Sequence, residues 1–145
     1  MKILKINTPQ KRLGNYGEKQ SRRYLKKNGY RILKKNFVAD SHEIDIIAAT
    51  RDTIVFVEVK TRTIGSEHPN EPRPASSVNA EKQRGIISAA KVYCAFNHEN
   101  KKKRFDVIEV YANSNNGKYS LAEIKHLKNT FNINTAFFAR KEQLK

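Results

Sequence analysis

Apolar and charged positions alternate most sharply between residues 43 and 60. Glu43-Ile44-Asp45-Ile46-Ile47 and, after a short polar break, Ile54-Val55-Phe56-Val57-Glu58-Val59-Lys60 read as buried strands interrupted by charge. Strand side chains alternate between faces with period two, so Glu58 and Lys60 share one face, and Glu43 and Asp45 share one on their own strand. If Thr50 to Thr53 form a hairpin turn centred on Arg51 and Asp52, antiparallel pairing sets Asp45 opposite Glu58 and Glu43 opposite Lys60. An odd-length turn would shift the register by one and separate these faces.

Helical spacing appears on either side. Asn15 is placed to cap a helix running to about Lys27, with Gly29 stopping it after Asn28. Two turns separate Glu18 from Leu25, so Glu18 points towards whatever Leu25 packs on; the competing reading is a first-turn Glu favoured by the helix dipole and paired with Arg22. Tyr30 to Leu33 begins a first strand, and Asn36-Phe37-Val38 leads into the hairpin, giving three antiparallel strands. Thr63 to Ser77 is rich in Gly, Pro, Asn and Ser and reads as a loop placed to close over a substrate. A second helix is expected from about Asn79 to Phe96, with Ile86, Ile87, Ala90, Tyr93 and Cys94 as its apolar stripe. Gln83, two turns before Ala90, falls on the inward side, where its amide could bond a phosphate or a water at a metal; an ordinary polar helix residue is the competing reading. Phe105 to Tyr111 and Tyr119 to Lys125 form a second hairpin across Asn113 to Gly117 and close the sheet.

The chain has 145 residues, which suits one domain: a basic arm over residues 1–13, a folded body over 14–132 and a basic tail over 133–145. Its 29 basic and 14 acidic residues leave a formal charge of +15, a potential that attracts polyanions, and nucleic acid above all. Lys101-Lys102-Lys103-Arg104 either touches phosphate or is a solvated charge run at a helix–strand junction. Cys94 is the single cysteine, which excludes an intramolecular disulfide and a Cys-rich zinc site and suits a reducing cytoplasm. No run of eighteen apolar residues and no signal-like apolar core occurs, so neither membrane spanning nor secretion is expected. His126 lacks a partner at metal-ligand spacing and reads as structural. Glycine-rich phosphate loops, helical His pairs and Ser-centred nucleophile motifs are missing from the sequence.

Facing carboxylates destabilise a sheet unless they share a proton or gain a cation. Mg²⁺ needs only one or two protein carboxylates, with water and phosphate oxygens completing its shell. Lys60 beside such an ion would steady developing phosphorane charge or orient an attacking water, so Asp45, Glu58 and Lys60 suit phosphodiester hydrolysis. The competing reading is a solvated hairpin face with ordinary cross-strand ion pairs.

Gly14-Asn15-Tyr16-Gly17-Glu18, Glu43-Ile44-Asp45-Ile46-Ile47-Ala48, Val55 to Arg62, Lys82-Gln83, Arg104-Phe105-Asp106-Val107 and Ile124-Lys125-His126 to Phe131 resemble, in order and spacing, the bacterial YraN-like uncharacterised protein family. That family is similar to the restriction-endonuclease-like nucleases of the PD-(D/E)xK type, archaeal Holliday junction resolvases among them. The resemblance implies an α/β fold with a central mixed β-sheet flanked by helices. It implies Mg²⁺ or Mn²⁺ held by Asp45 and Glu58, with Glu18 completing the acidic cluster, Lys60 assisting the water, and Gln83 beside the metal. Ser41-His42 stands where the family commonly has Gly before Glu-Ile-Asp, and the proline of the nuclease signature is missing before Asp45.

The sequence therefore leads to the expectation of a metal-dependent nuclease acting on DNA, with branched or structured DNA suggested by the resolvase likeness. An enzyme that makes two cuts would work as a homodimer. The alternative is a nucleic-acid-binding module or adaptor that keeps the fold without cleavage. Such a binder has no use for facing carboxylates that repel phosphate.

Overall fold

Thr8 accepts a hydrogen bond from the Lys11 N–H, and Pro9 fills a first-turn position where its missing N–H costs nothing, so helix α1 runs Pro9–Lys27. The computed structural model describes residues 7–65 and 78–132. Residues 1–6 of the expected arm, 66–77 of the expected loop and the 133–145 tail lie outside the described residues. Because Thr8 caps the helix, Asn15 lies inside it rather than at its start, and residues 9–13 are helical rather than part of an arm. Glu18 is therefore not a first-turn residue, which removes the dipole argument for its placement.

Five strands follow: β1 Arg31–Ala39, β2 His42–Ala49, β3 Thr53–Thr63, β4 Lys102–Asn115 and β5 Lys118–Phe131, with helix α2 at Ala80–Phe96 between β3 and β4. They form one mixed sheet in the order β1-β2-β3-β4-β5, antiparallel except for the parallel β3–β4 pair that α2 connects. A parallel neighbour needs a crossover, and α2 supplies it. Asn79 caps α2 by accepting the Lys82 N–H at 2.8 Å.

Both tight hairpins use left-handed residues. Asp40 and Ser41 have φ of 52° and 63°, and Asn116 and Gly117 have 52° and 77°, which is the requirement of a two-residue loop of the type I′ kind. The second loop is thus Asn116-Gly117 alone, and its strands run further than expected, to Asn115 and on to Phe131. Thr50 to Thr53 closes the middle hairpin, with the Thr50 N–H donating to the Thr53 carbonyl at 2.9 Å.

Alternation divides the core into two layers. Ile54, Phe56, Phe105, Val107 and Phe131 meet Ile86, Ile87, Ala90 and Tyr93 of α2, whereas Ile46, Ala48, Val55, Val57, Ile108 and Val110 meet Leu25 of α1 and Tyr30. The two helices therefore sit on opposite faces. Among the described residues no helix is long and apolar enough to cross a membrane.

Candidate functional site

The β2–β3 pairs Ala49–Ile54, Ala48–Val55, Ile47–Phe56 and Ile46–Val57 have the register set by a Thr50–Thr53 turn. The next step would pair Asp45 with Glu58, and there the strands part. The Asp45 carboxylate instead accepts the Val59 N–H at 2.8 Å, so a side chain satisfies a backbone donor of the sheet. Regular alternation also fails at this point: Ile44 belongs to the α2 layer and Ile46 to the α1 layer, although both are even positions of one strand. On the neighbouring strand Asn36 takes φ of 52°. The break turns Asp45 into the gap that opens between β2 and β3.

Helix α1 reaches this gap because of a glycine. A Cβ at Gly17 would overlap the Thr61 side chain of β3, so only the missing side chain permits this approach. Glu18, the next residue, lies against Asp45, and the two carboxyls hydrogen-bond. Burial first, and then the Glu58 charge, push the Asp45 pKa up to about 8, with the Val59 bond opposing the shift. Burial followed by Glu43 likewise raises Glu18, and the Asp45 bond and Arg22 offset part of this.

Glu58 and Lys60 project towards α2, as their shared parity with Ile54 and Phe56 requires. Glu58 is only 7% exposed, and its Oε1 meets Lys82 Nζ at 2.6 Å and Lys60 Nζ at 3.4 Å. The two amines differ. Burial, then the neighbouring Lys82, lower the Lys60 pKa against the pull of Glu58. Burial also works against the Lys82 ammonium, but its contacts with Glu58 and Lys60 outweigh it and leave its pKa raised. Lys82 holds its proton and Lys60 yields one more readily.

Glu18, Asp45, Glu58 and Lys60 thus line one cleft of about 330 Å³, together with Gln10, Leu13, Gly14, Val59 and Thr61. A larger cleft of about 720 Å³, between α1 and β5, is rimmed by Arg23, Lys26 and Lys27 and has no carboxylate in its lining. Gln83 is not brought to the acidic cleft: its amide turns back and donates to the Val78 carbonyl at 2.9 Å, tying down the entry to α2. Lys82, its more exposed neighbour, reaches Glu58 instead. Helical spacing did not carry that signal, since Gln83 lies three, four and seven residues before Ile86, Ile87 and Ala90, all buried.

Among the described residues no three His, Cys, Asp or Glu side chains stand as a ready-made ligand set. The donor chemistry nevertheless fits a hard divalent ion, for which one or two carboxylates suffice. Burial first, and then the charge of neighbouring acids, raise Asp45 and Glu18, and a cation between the acids would relieve the second of these.

A second ionic cluster lies deeper. Asp106 is fully buried and accepts from Arg104 Nε and Nη2 at 2.9 Å each, from the Asn129 N–H at 2.9 Å and from His126 Nε2 at 2.6 Å. Arg104 also donates to the Tyr30 hydroxyl at 2.7 Å, and Tyr24 OH lies 3.2 Å from His126 Nδ1. Burial would raise Asp106, but His126, Arg104 and Asn129 more than reverse it and hold its carboxyl below the ordinary range. His126 is structural in this setting, and Arg104 is turned inward, so Lys102 and Lys103 are the exposed members of the basic run.

The family model described as Uncharacterised protein family UPF0102 matches residues 17–110, from Gly17 of α1 into β4. The chain belongs to that family. A UPF0102 protein of Caldanaerobacter subterraneus subsp. tengcongensis is 44% identical over 128 residues, covering 88% of this chain and 98% of the relative. Its counterpart in Clostridium acetobutylicum is 44% identical over 127 residues, covering 85% and 96%. One from Chlorobium phaeobacteroides is 41% identical over 122 residues, covering 82% and 93%. This is the YraN-like family that the motif order suggested, and the UPF0102 match takes in Glu18, Asp45, Glu58, Lys60 and Lys82 together.

Proposed function

We propose that this UPF0102 protein is a Mg²⁺- or Mn²⁺-dependent nuclease that hydrolyses DNA phosphodiester bonds, with branched or structured DNA as its preferred form. The observation that carries the reading is the convergence of Glu18, Asp45, Glu58 and Lys60 on one cleft from three different elements. The two-faced mixed sheet is the architecture that the resemblance to restriction-endonuclease-like proteins implies.

Asp45 and Glu58, with Glu18 beside them, would hold the divalent ion, which when bound supplies Lewis-acid polarisation of the scissile phosphate. Lys60, with its lowered pKa, is suited to accept a hydrogen bond from the attacking water and to take its proton. The ammonium of Lys82 keeps positive charge at the cleft, where negative charge develops on the phosphate. Exposed lysines and arginines of α1, among them Lys11, Arg12, Lys19, Arg23, Lys26 and Lys27, would hold the phosphate backbone without reading bases.

One observation favours the adaptor reading: Glu58 already has two lysine partners that neutralise it without a metal. Labelled linear duplex, single-stranded and four-way-junction DNA incubated with the protein in Mg²⁺, Mn²⁺ or EDTA separates the two. The nuclease reading expects metal-dependent cleavage that Glu58→Ala and Lys60→Ala both abolish. Cleavage surviving Glu58→Ala points to another site or a contaminant. Binding without any cleavage leaves the adaptor.

A further inference from the structure

We infer that the Lys82 ammonium is a built-in counter-ion occupying the place of the divalent cation at Glu58, and that the ion must displace it to bind. This deepens the metal-site reading and rests on it.

Lys82 Nζ stands 2.6 Å from Glu58 Oε1, closer than Lys60 at 3.4 Å on the same oxygen. Lys60 lies on the same strand as Glu58, so its separation from the acid is set by β3 itself. Lys82 arrives from the first turn of α2, across the crossover, and is the member of the cluster whose position is not fixed by β2, β3 or α1. A buried carboxylate needs a compensating charge, and in the metal-free chain Lys82 provides it.

The two partners are unequally free to move. Lys82 is 42% exposed and Glu58 is 7% exposed, so the lysine can swing its flexible stem into water whereas the glutamate stays at the cleft. Two lysine amines already crowd Glu58 Oε1, and a divalent ion brought to that oxygen repels the nearer of them, Lys82, most strongly. A divalent ion drawn in by Asp45 and Glu58 together therefore competes with Lys82 directly. The lysine sets how much free metal the site needs before it fills.

Mn²⁺ titrated into the full-length protein without DNA, followed by calorimetry or by loss of the free Mn²⁺ electron-spin signal, tests this. Lys82→Met should bind Mn²⁺ about tenfold more tightly than wild type, since it keeps the stem and removes the competing charge. Lys82→Arg, which retains a cation, should bind no more tightly than wild type. Without metal, Lys82→Met should melt at a lower temperature, because Glu58 loses the nearer of its two lysine partners, and Mn²⁺ should recover the difference. Lys82→Gln provides the same comparison if the Met variant misfolds by circular dichroism. Equal or weaker Mn²⁺ binding by a folded neutral variant, with wild type binding one ion, overturns the counter-ion role and leaves the metal reading standing. Mn²⁺ binding by neither protein overturns both.

Discussion

Asp45 accepts the Val59 N–H at 2.8 Å where the β2–β3 ladder would otherwise continue, so one carboxylate both ends the pairing of two strands and faces the cleft they open. Its pKa of about 8 has a consequence for stability. An acid that ionises freely at about pH 4 in the unfolded chain, but resists ionisation when folded, costs nothing below that pH. It costs progressively more as pH rises towards the folded value. Without metal, Asp45→Asn should therefore melt higher than wild type at pH 8 and close to it at pH 4, since the amide oxygen still accepts the Val59 N–H. Thermal melts at the two pH values check this, and an equal shift at both would contradict it.

The same proton couples to the ion. A divalent cation needs the ionised carboxylate, so binding releases a proton below the folded pKa. Mn²⁺ affinity should rise by about tenfold per pH unit as pH approaches 8 and then level off. Calorimetry in buffers of different ionisation enthalpy would count the released proton, and a flat pH profile would remove Asp45 from the ligand set.

Gly17 and Thr61 set the height of α1 over the sheet. Gly17→Ala places a methyl group on the Thr61 side chain, and overpacking of this kind costs about 1–3 kcal/mol. Urea unfolding should register that loss, and Mn²⁺ binding should weaken with it because Glu18 moves with the helix. Adding Thr61→Ala should recover part of the stability. A neutral Gly17→Ala would mean that the helix shifts without penalty.

Asp106 joins β4 to β5 and, through Arg104 and His126, to the tyrosines Tyr30 and Tyr24. Asp106→Ala leaves Arg104 and His126 facing one another without their shared acceptor and should destabilise the fold by about 3–5 kcal/mol. The lowered Asp106 pKa contributes stability that is present above about pH 4, where the unfolded carboxyl ionises, and is lost as pH falls through the folded value. Acid unfolding of wild type should therefore steepen below about pH 4, and the Asp106→Ala variant, weaker throughout, should lack that component.

The proposed backbone mode, with exposed lysines and arginines on phosphates, predicts a DNA affinity that depends steeply on salt. Each phosphate neutralised adds about 0.9 to the log–log slope, so a footprint of about five phosphates predicts a loss of roughly 500-fold between 50 and 200 mM salt. Fluorescence anisotropy with a labelled four-way junction in EDTA measures this directly. An affinity indifferent to salt would argue against the backbone mode despite the +15 charge.

Local pattern determined a good deal of this molecule. Period-two alternation placed β2 and β3, the Thr50–Thr53 turn set their register, and helical spacing turned Glu18 inward with Leu25. Those signals are legible because each depends on neighbours within two turns of helix or across one hairpin. The start of α1 was less so: Asn15 was the expected cap, and the structure starts the helix at Pro9 with Thr8 as its cap.

Only the tertiary structure decided how the charges pair. Sequence spacing set Asp45 against Glu58, but whether two acids meet, share a proton or take separate partners depends on where the strands part and on which helix ends nearby. Here β2 leaves β3 one step early, Asp45 takes a backbone N–H, and α2 delivers Lys82 to Glu58 while Gln83 turns away to Val78. Coulomb energies and burial act through space, and Glu58 of β3 and Lys82 of α2 lie too far apart in sequence for any local pattern to encode their meeting.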